Sequence, residues 1–536
     1  MASGARATSG LKDRRRYVEA ILAGVGAPAR PVRTPPPDGP LGADRYATPS
    51  LVRALPGLGP LFTGFGRYLA SRADLIGRRD AAVLGSLPDA AAPLPSATVD
   101  AVIAHQLGRL RHQAFFEFDP SPRVCRLWTQ RHEAWLAPGV PVWVTLVRPD
   151  ADAWLADAPL LARLQPWFET TATRFQEAAD DYVSTLRRRL DLESQGASLA
   201  TLAADASSGA GGFGAPVVYR DHSARGILTV EAITAPTLAD MLADHTGPGR
   251  TADSALALGR RVAGAWLQQV LGGRVVPYDV RPDDVHVDTE RLVLVDGAFE
   301  PHGSVARRGL RTYLLSLAAA DPDIAGDWIM DGAGHDEVDR HEEGLRRRLR
   351  QAVPFRDGEW SGDERMAEHA FAHWRMAALS GWQLSSHHMR VYLGLHDVAM
   401  LVAGLRPDDD VIAAALRDEQ VRGGFAGARQ ALEPGAIAAS LTERLHDMLA
   451  LPRVLDNVLT RAAEGRLRVR LNVPEGAAAA RTRNRTVMLV ATLVALTGLA
   501  VVARDVAPAF GGGVETAAAL VVLILGGWLL IAAARL

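Results

Sequence analysis

Two stretches of this chain carry no charge: residues 486–503, 18 in number, and residues 516–534, 19 in number. As α-helices they would be roughly 27–29 Å long, about the thickness of a bilayer's hydrocarbon core. The link between them holds Pro508 and Gly511-Gly512-Gly513, which is turn chemistry. The pair is therefore predicted to form a transmembrane hairpin. A pair of buried core helices is the other reading; the charges at which both spans end argue against it. Arg481, Arg483 and Arg485 precede the first span and Arg535 follows the second. The positive-inside rule then places both flanks, and the large polar part of the chain, in the cytoplasm. Trp528 lies inside the second span, which makes it a weak interface anchor.

Elsewhere, composition excludes more than it assigns. A net charge of −2 gives no sign of a nucleic-acid partner. Cys125 is the single cysteine, so no intrachain disulfide can form, which fits a reducing compartment. The N-terminus carries Arg6, Lys12, Arg14, Arg15 and Arg16 and no apolar run, so it does not read as a secretory signal. Of the 59 basic residues only Lys12 is a lysine. A GC-rich coding sequence accounts for the excess of arginine but does not explain why a functionally needed lysine would be missing.

The pattern along the chain predicts an α+β fold of two lobes. Residues 1–50 are rich in Pro, Gly, Ala and Arg and read as a disordered tail. Residues 51–113 read as an N-terminal helical extension. Residues 114–235 form an N-lobe in which the run 140–147 is a strand, helices fill about 151–202, a Gly/Ser/Ala loop spans 203–216, and strands follow at 217–219 and 226–230. Residues 236–472 form a helical C-lobe, with a helix at 254–271 and short strands at 285–287 and 292–295 bracketing acidic residues. Residues 473–485 are a linker and 486–536 the membrane hairpin.

Six segments then carry a resemblance. LGPLFTGFGRYLASRADLI (58–76), QRHEAWLAPGVPVWVTLVRP (130–149), RLDLESQGAS (189–198), PYDVRPDDVHV (277–287), LVLVDGA (292–298) and LALPRVLDNVLTRAAEGRLRVRL (449–471) occur in that order. They resemble the KxGQ, QVHxAxLxxGxxVAVKVxRP, ExD-EAxN, HADPHPGN, LLDFG and C-terminal segments of the AarF/UbiB atypical kinases. The resemblance implies a protein-kinase-like two-lobed domain and possible use of ATP with Mg²⁺. It further implies a role in isoprenoid-quinone or membrane-lipid metabolism at the bacterial cytoplasmic membrane, with membrane lipids or quinone-pathway proteins as partners. It leaves the oligomeric state open.

The departures are concentrated on the phosphate side. The family's KxGQ lysine falls on Gly64 and its Gln on Arg67; the strand lysine falls on Thr145. The Ala-rich nucleotide loop falls on residues 124–129, bulky where a backbone should approach phosphate closely. The ExD glutamate falls on Arg189, although Asp191 remains. The EAxN Glu and Asn fall on Gln195 and Ser198, and two catalytic-loop histidines on Pro277 and Arg281. The acidic side is kept: Asp279 stands at the base position, while Asp284 and Asp296 stand at the metal positions, where oxygen ligands suit Mg²⁺. Gln130, Thr145, Glu231 and Arg148 are the implied cofactor contacts. Arg67, Arg126, Arg131 and Arg148 are the arginines aligned near the cleft, any of which could neutralise phosphate.

Positioning and electrostatics are most of phosphoryl-transfer catalysis, so these losses favour a pseudokinase. A divergent ATPase or small-molecule kinase using Asp279, Asp296 and an arginine is the alternative. A nucleotide-free membrane interaction module is a third. The deciding geometry is whether a guanidinium reaches the space between Asp279 and Asp296. His369, His373 and the His387-His388 pair lack a zinc-site pattern and read as ordinary helix histidines. The arginine runs 187–189 and 346–348 read as solvated helix faces, or as contacts to anionic headgroups.

Overall fold

The run VPVWVTLV is β-branched and aromatic at alternate positions, and it forms the third strand of a four-stranded antiparallel sheet. In a computed structural model of the chain the strands are β1 (Glu117–Cys125), β2 (Thr129–Ala137), β3 (Val140–Val147) and, after a short β4 (Phe213–Gly214), β5 (Ile227–Glu231), in the order β1-β2-β3-β5. Pro138 and Gly139 turn β2 into β3, and Gly139 has φ +78, the left-handed conformation that favours glycine. The described residues are 11–25, 49–76, 78–168, 170–244, 252–288, 291–318, 322–332, 335–351, 366–405 and 410–418. All lie in the first of two compact units, residues 1–428.

Strand β3 sorts its side chains by the two-residue period of a strand. Val142, Val144 and Leu146 join Ala134 and Ile227 in a core under α5 (Ser96–Leu107) and α6 (Arg111–Ala114), which contribute Val99, Ile103 and Ala114, with Phe115 just past α6. Trp143 and Thr145 take the opposite face. Register carries the same division to the neighbours: Arg131 and Leu228 sit opposite Thr145, and Val230 opposite Trp143. The sequence pattern does not announce strands β1 and β2. β1 is a solvent-edge strand containing Pro120 and Pro122, and the run TQRHEAWLA of β2 is too polar to show apolar alternation.

An N-terminal layer is built from α1 (Leu11–Ala23), α2 (Pro49–Leu58), α3 (Pro60–Ala70) and α4 (Arg78–Gly85). The short α7 (Ala151–Leu155) and a 3₁₀ helix, Ala158–Trp167, lead into α8 (Ala172–Arg189). Leu55, Phe62 and Phe65 bury against Phe175, Ala178 and Tyr182 of α8. The segment expected as a tail is here partly a helix. Val18, Leu22 and Val25 are buried at i, i+4 and i+7, and Arg14 pairs with Asp157 at 3.0 Å. Lys12 belongs to α1 and not to a tail remote from packed structure.

The segment after α8 is more ordered than the expected loop. α9 (Leu192–Ser207) starts on an Asp191 cap, whose Oδ1 accepts from the Ser194 amide at 3.2 Å, and runs past residue 203 before β4. Then follow α10 (Leu238–Asp244), α11 (Ala252–Gly272), β6 (Val275–Tyr278), β7 (Val285–Val287), β8 (Leu292–Leu294) and β9 (Ala298–Pro301). β6 pairs with β9, and β8 lies between β4 and β7. α12 (Ser304–Ala318), α13 (Pro322–Asp331), α14 (His335–Gln351), α15 (Met366–Leu379) and α16 (Ser386–Gly404) complete a helical lobe around Trp266, Tyr313 and Tyr392. The expected membrane spans, the linker and segment 449–471 lie outside the described residues. Among the described residues no helix is long and apolar enough to cross a membrane.

Candidate functional site

A cavity of about 380 Å³ opens between the four-stranded sheet and the helical lobe, a size that suits a small ligand. Its floor is supplied by short strands with acidic ends. The turn from β6 to β7 carries Asp279 and Asp284, and the residue after Val295 at the end of β8 is Asp296. Asp279 has φ 53, the single left-handed non-glycine among the described residues, a conformation that aspartate tolerates better than most side chains. Asp284 is fully buried and Asp296 largely so.

The cavity's carboxylates are engaged by guanidinium groups. Arg126, in the turn between β1 and β2, sends its side chain across the cleft. Its Nη1 and Nη2 donate to Asp284 Oδ2 at 2.9 Å and Oδ1 at 2.7 Å, a bidentate pair. The same Nη1 also donates to Asp296 Oδ2 at 3.2 Å. Arg131 reaches Asp296 Oδ2 at 3.4 Å while its Nε donates to Thr145 Oγ1 at 3.3 Å. Arg189, the last residue of α8, pairs with Asp279 through Nη1 and lies 3.8 Å from Asp296 Oδ1 through Nη2. Arg281 pairs with Asp89 and stands 3.6 Å from Asp279 Oδ1. A guanidinium does reach the space between Asp279 and Asp296, and it is that of Arg189.

The electrostatics follow. Burial works against the Asp296 charge, but Arg189, Arg126, Arg131 and Arg281 outweigh it and hold the carboxyl down at about 2. Burial also opposes the Arg126 charge, and Asp284 and Asp296 overcome it, so Arg126 stays protonated. Arg67 differs. Its Nη1 donates to the Leu87 carbonyl, and among the described residues no carboxylate lies within ion-pair distance of it. Burial, then the like charges of Arg189 and Arg126, push its guanidinium below the ordinary value.

The two missing lysines leave different traces. At Gly64 the space is filled: a Cβ there would stand 2.2 Å from the Tyr182 hydroxyl and 3.3 Å from Trp128 Nε1. At Thr145 the charge comes from next door, because Arg131 is its register partner on β2 and points into the same cleft.

Register also decides which expected cofactor contacts reach the cavity. Thr145 lines it. Gln130 lies opposite Leu146, and Glu231 opposite Val142, so both project on the α5 face. Gln130 is buried there, with Oε1 accepting from the Leu94 amide at 2.7 Å, and Glu231 Oε2 accepts from the Val217 amide at 3.2 Å. Arg148 donates to the Ala92 carbonyl at 2.9 Å, outside the cavity wall. In this structure none of those three side chains lines the cavity. Arg67, Arg126 and Arg131 do line the cavity, joined by Arg189, Arg281 and Asp89, which the sequence pattern does not mark as cleft cations or partners. For Asp89 the sequence carries no signal, since it stands in a loop after Pro88.

Mg²⁺ needs a near-octahedral shell of oxygens. Both oxygens of Asp284 already accept from Arg126, Asp296 Oδ2 shares the same nitrogen, and Asp296 Oδ1 accepts from the Gly297 amide at 2.8 Å. Among the described residues no group of three His, Cys, Asp or Glu side chains could hold a metal. The expected metal pair Asp284 and Asp296 is thus brought together, but around a guanidinium, and the site does not fit a divalent cation in this conformation.

Comparison with known proteins agrees with the architecture. Residues 86–325 match the ABC1 atypical kinase-like domain, a span that begins after the 58–76 segment and stops short of 449–471. The chain is 31% identical over 245 residues to the probable protein kinase UbiB of Pseudomonas paraeruginosa, covering 44% of each. It is 27% identical over 248 residues to the protein of that name from Marinobacter nauticus, covering 44% of this chain and 43% of the other. Among solved structures, a complex of Rv3197 with erythromycin from Mycobacterium tuberculosis aligns over 59% of this chain and 84% of that one, at 18% identity and TM-score 0.37, too slight a likeness to argue from. Fold and domain together define a mixed α/β protein of the atypical kinase-like class. Within that class the matched span, residues 86–325, is of the AarF/UbiB type. The matched span is less than half the length of those two relatives.

Proposed function

We propose that this protein is a membrane-anchored, UbiB-like pseudokinase, a nucleotide-responsive accessory factor in isoprenoid-quinone or membrane-lipid metabolism. One observation carries the reading: Arg126 is hydrogen-bonded to both carboxylates that a kinase-like fold uses for its metal ions. Phosphoryl transfer relies on metal and lysine charge placed on the phosphates, and removing several such contacts costs about ten-fold in rate for each ~1.4 kcal/mol. Asp279, at the position of a catalytic base, is ion-paired with Arg189 and Arg281. It is poorly placed to accept a hydroxyl proton while those pairs persist. Anchoring rests on the two uncharged spans, 486–503 and 516–534.

Turnover decides the catalytic part. The purified full chain is incubated with ATP and Mg²⁺ or Mn²⁺, and phosphate release is followed beside an active kinase; release at background level is expected. Metal-dependent release abolished by Asp279→Ala would instead establish the divergent enzyme. In a deletion strain with an isoprenoid-quinone or membrane-lipid defect, an Asp279→Ala gene is expected to restore the product as well as wild type does. For anchoring, the full chain is expected in the membrane fraction and a chain ending at residue 485 in the soluble fraction; equal partition of the two would sink that part.

A further inference from the structure

The disagreement between the retained carboxylates and an absent metal site has a consequence for what the cleft binds. The cavity is lined by five guanidinium groups, Arg67, Arg126, Arg131, Arg189 and Arg281. Against them stand Asp89, Asp279 and Asp296 in the wall, Asp284 beneath, and Asp397, whose Oδ2 accepts from the Val280 amide at 3.1 Å. The charges balance without any ion. A divalent cation entering between Asp284 and Asp296 would have to expel Arg126 from a bidentate buried pair and leave that guanidinium uncompensated. An anion meets the opposite situation. Each guanidinium has five N–H donors, so donors remain after the pairs are made. Arg67 faces the cavity with no carboxylate within ion-pair distance among the described residues; Arg189 and Arg126, and more weakly and in the opposite sense Asp397, are near enough for their charges to act on it.

We propose that the cleft takes a polyphosphate ligand, free or as the tail of a nucleotide, without a divalent cation, Arg126 standing where the metal would stand and Arg67 with Arg189 facing the anion. This rests on the reading of the cleft as a nucleotide-responsive pseudokinase site and names the ionic form of its ligand. Arginine suits the role because its planar fork matches phosphate oxygens in pairs. Its single charge gives binding without the bridging of two phosphates that a metal supplies in transfer.

The test is thermal shift and calorimetry on the full-length protein in detergent. Pyrophosphate and ADP are titrated in EDTA and again in excess Mg²⁺, with adenosine as control. Expected is a rise in Tm of roughly 2–4 °C with either anion in EDTA at saturating concentration, and no rise with adenosine. The rise should be unchanged or smaller in Mg²⁺, and at least ten-fold weaker in affinity in Arg67→Ala. Arg126→Gln frees the two carboxylates, so Mn²⁺ alone should raise the Tm of that variant and not of wild type. Should Arg126→Gln not fold, the wild-type EDTA and Mg²⁺ arms and Arg67→Ala decide alone. A shift that requires Mg²⁺ overturns the proposal. So does the absence of any anion shift in EDTA, or Mn²⁺ binding to wild type that Asp284→Asn removes. Turnover judges the pseudokinase reading separately: metal-dependent phosphate release would sink that reading, whereas binding in EDTA judges only the ionic form of the ligand.

Discussion

Arg126 is the residue on which the cleft's chemistry turns. Removing one partner of a buried ion pair leaves an uncompensated charge and costs about 3–5 kcal/mol, far more than the pair's own net contribution. Arg126→Ala is therefore expected to lower unfolding free energy in urea by about that amount, because Asp284 is fully buried and Asp296 loses a donor with it. Asp284→Leu in the same chain should recover at least half of the loss, and additive effects of the two substitutions would contradict the pairing. Gly64 makes a second residue-scale case. Putting lysine back at that position should not restore a kinase site but should destabilise by several kcal/mol, since its Cβ would meet the Tyr182 hydroxyl at 2.2 Å. A Gly64→Lys protein that kept its wild-type Tm would show that Tyr182 moves aside freely.

Among the elements, α3, α8 and α16 are joined by one buried polar chain. Arg390 of α16 is fully buried and pairs with Asp181 of α8 through both nitrogens, Tyr68 of α3 donates to the same carboxylate, and Arg72 Nη1 donates to the Tyr68 hydroxyl at 2.7 Å. Burial raises the Asp181 carboxyl, and Arg390 more than offsets it, so the group stays ionised. This chain ties down the middle of α8, and α8 delivers Arg189 to the cleft at its last residue. Arg390→Met is expected to cost about 3–5 kcal/mol in denaturant unfolding and to weaken anion binding as well. A loss of stability with wild-type anion affinity would mean that α8 holds its end without this tie. Strand register shows how much of the site could be read in advance. The run 140–147 announces β3, and the two-residue period then allows only alternate residues into the cleft. Its neighbour β2 was hidden because Arg131, the residue that matters there, replaces the apolar side chain that would have revealed a strand.

At the scale of the whole molecule, stability is expected to fall with acid in two windows. Burial, aided by His387, lowers His302 to about 4; burial with His387 and His302 lowers His388 to about 4; burial, then His369, lowers His373 to about 3. These rings are neutral when folded, while an unfolded histidine takes a proton near pH 6.5. The unfolded state thus binds more protons below that pH, and stability present above about 6.5 is lost as pH falls through 4 and towards 3, on the order of 1–3 kcal/mol per ring. Asp296, held at about 2, adds a loss confined to the range below about 4. A Tm that stayed level from pH 7 to pH 4.5 would count against burial of these rings. The sequence by itself determined the strand at 140–147, the long helix near 254–271, the acidic turns at 279–284 and 296, and the loss of both expected lysines, because each is a matter of local pattern or residue identity. Only the tertiary structure decided what took the lysines' place. Arg126 and Asp284 are 158 residues apart, and Arg189 and Asp279 come from different lobes. No local propensity encodes such a meeting. It arises when the sheet, α8 and the short acidic strands pack, and the same packing turns Gln130 and Glu231 to the far face and draws a set of separate arginines around carboxylates that the sequence had offered to a metal.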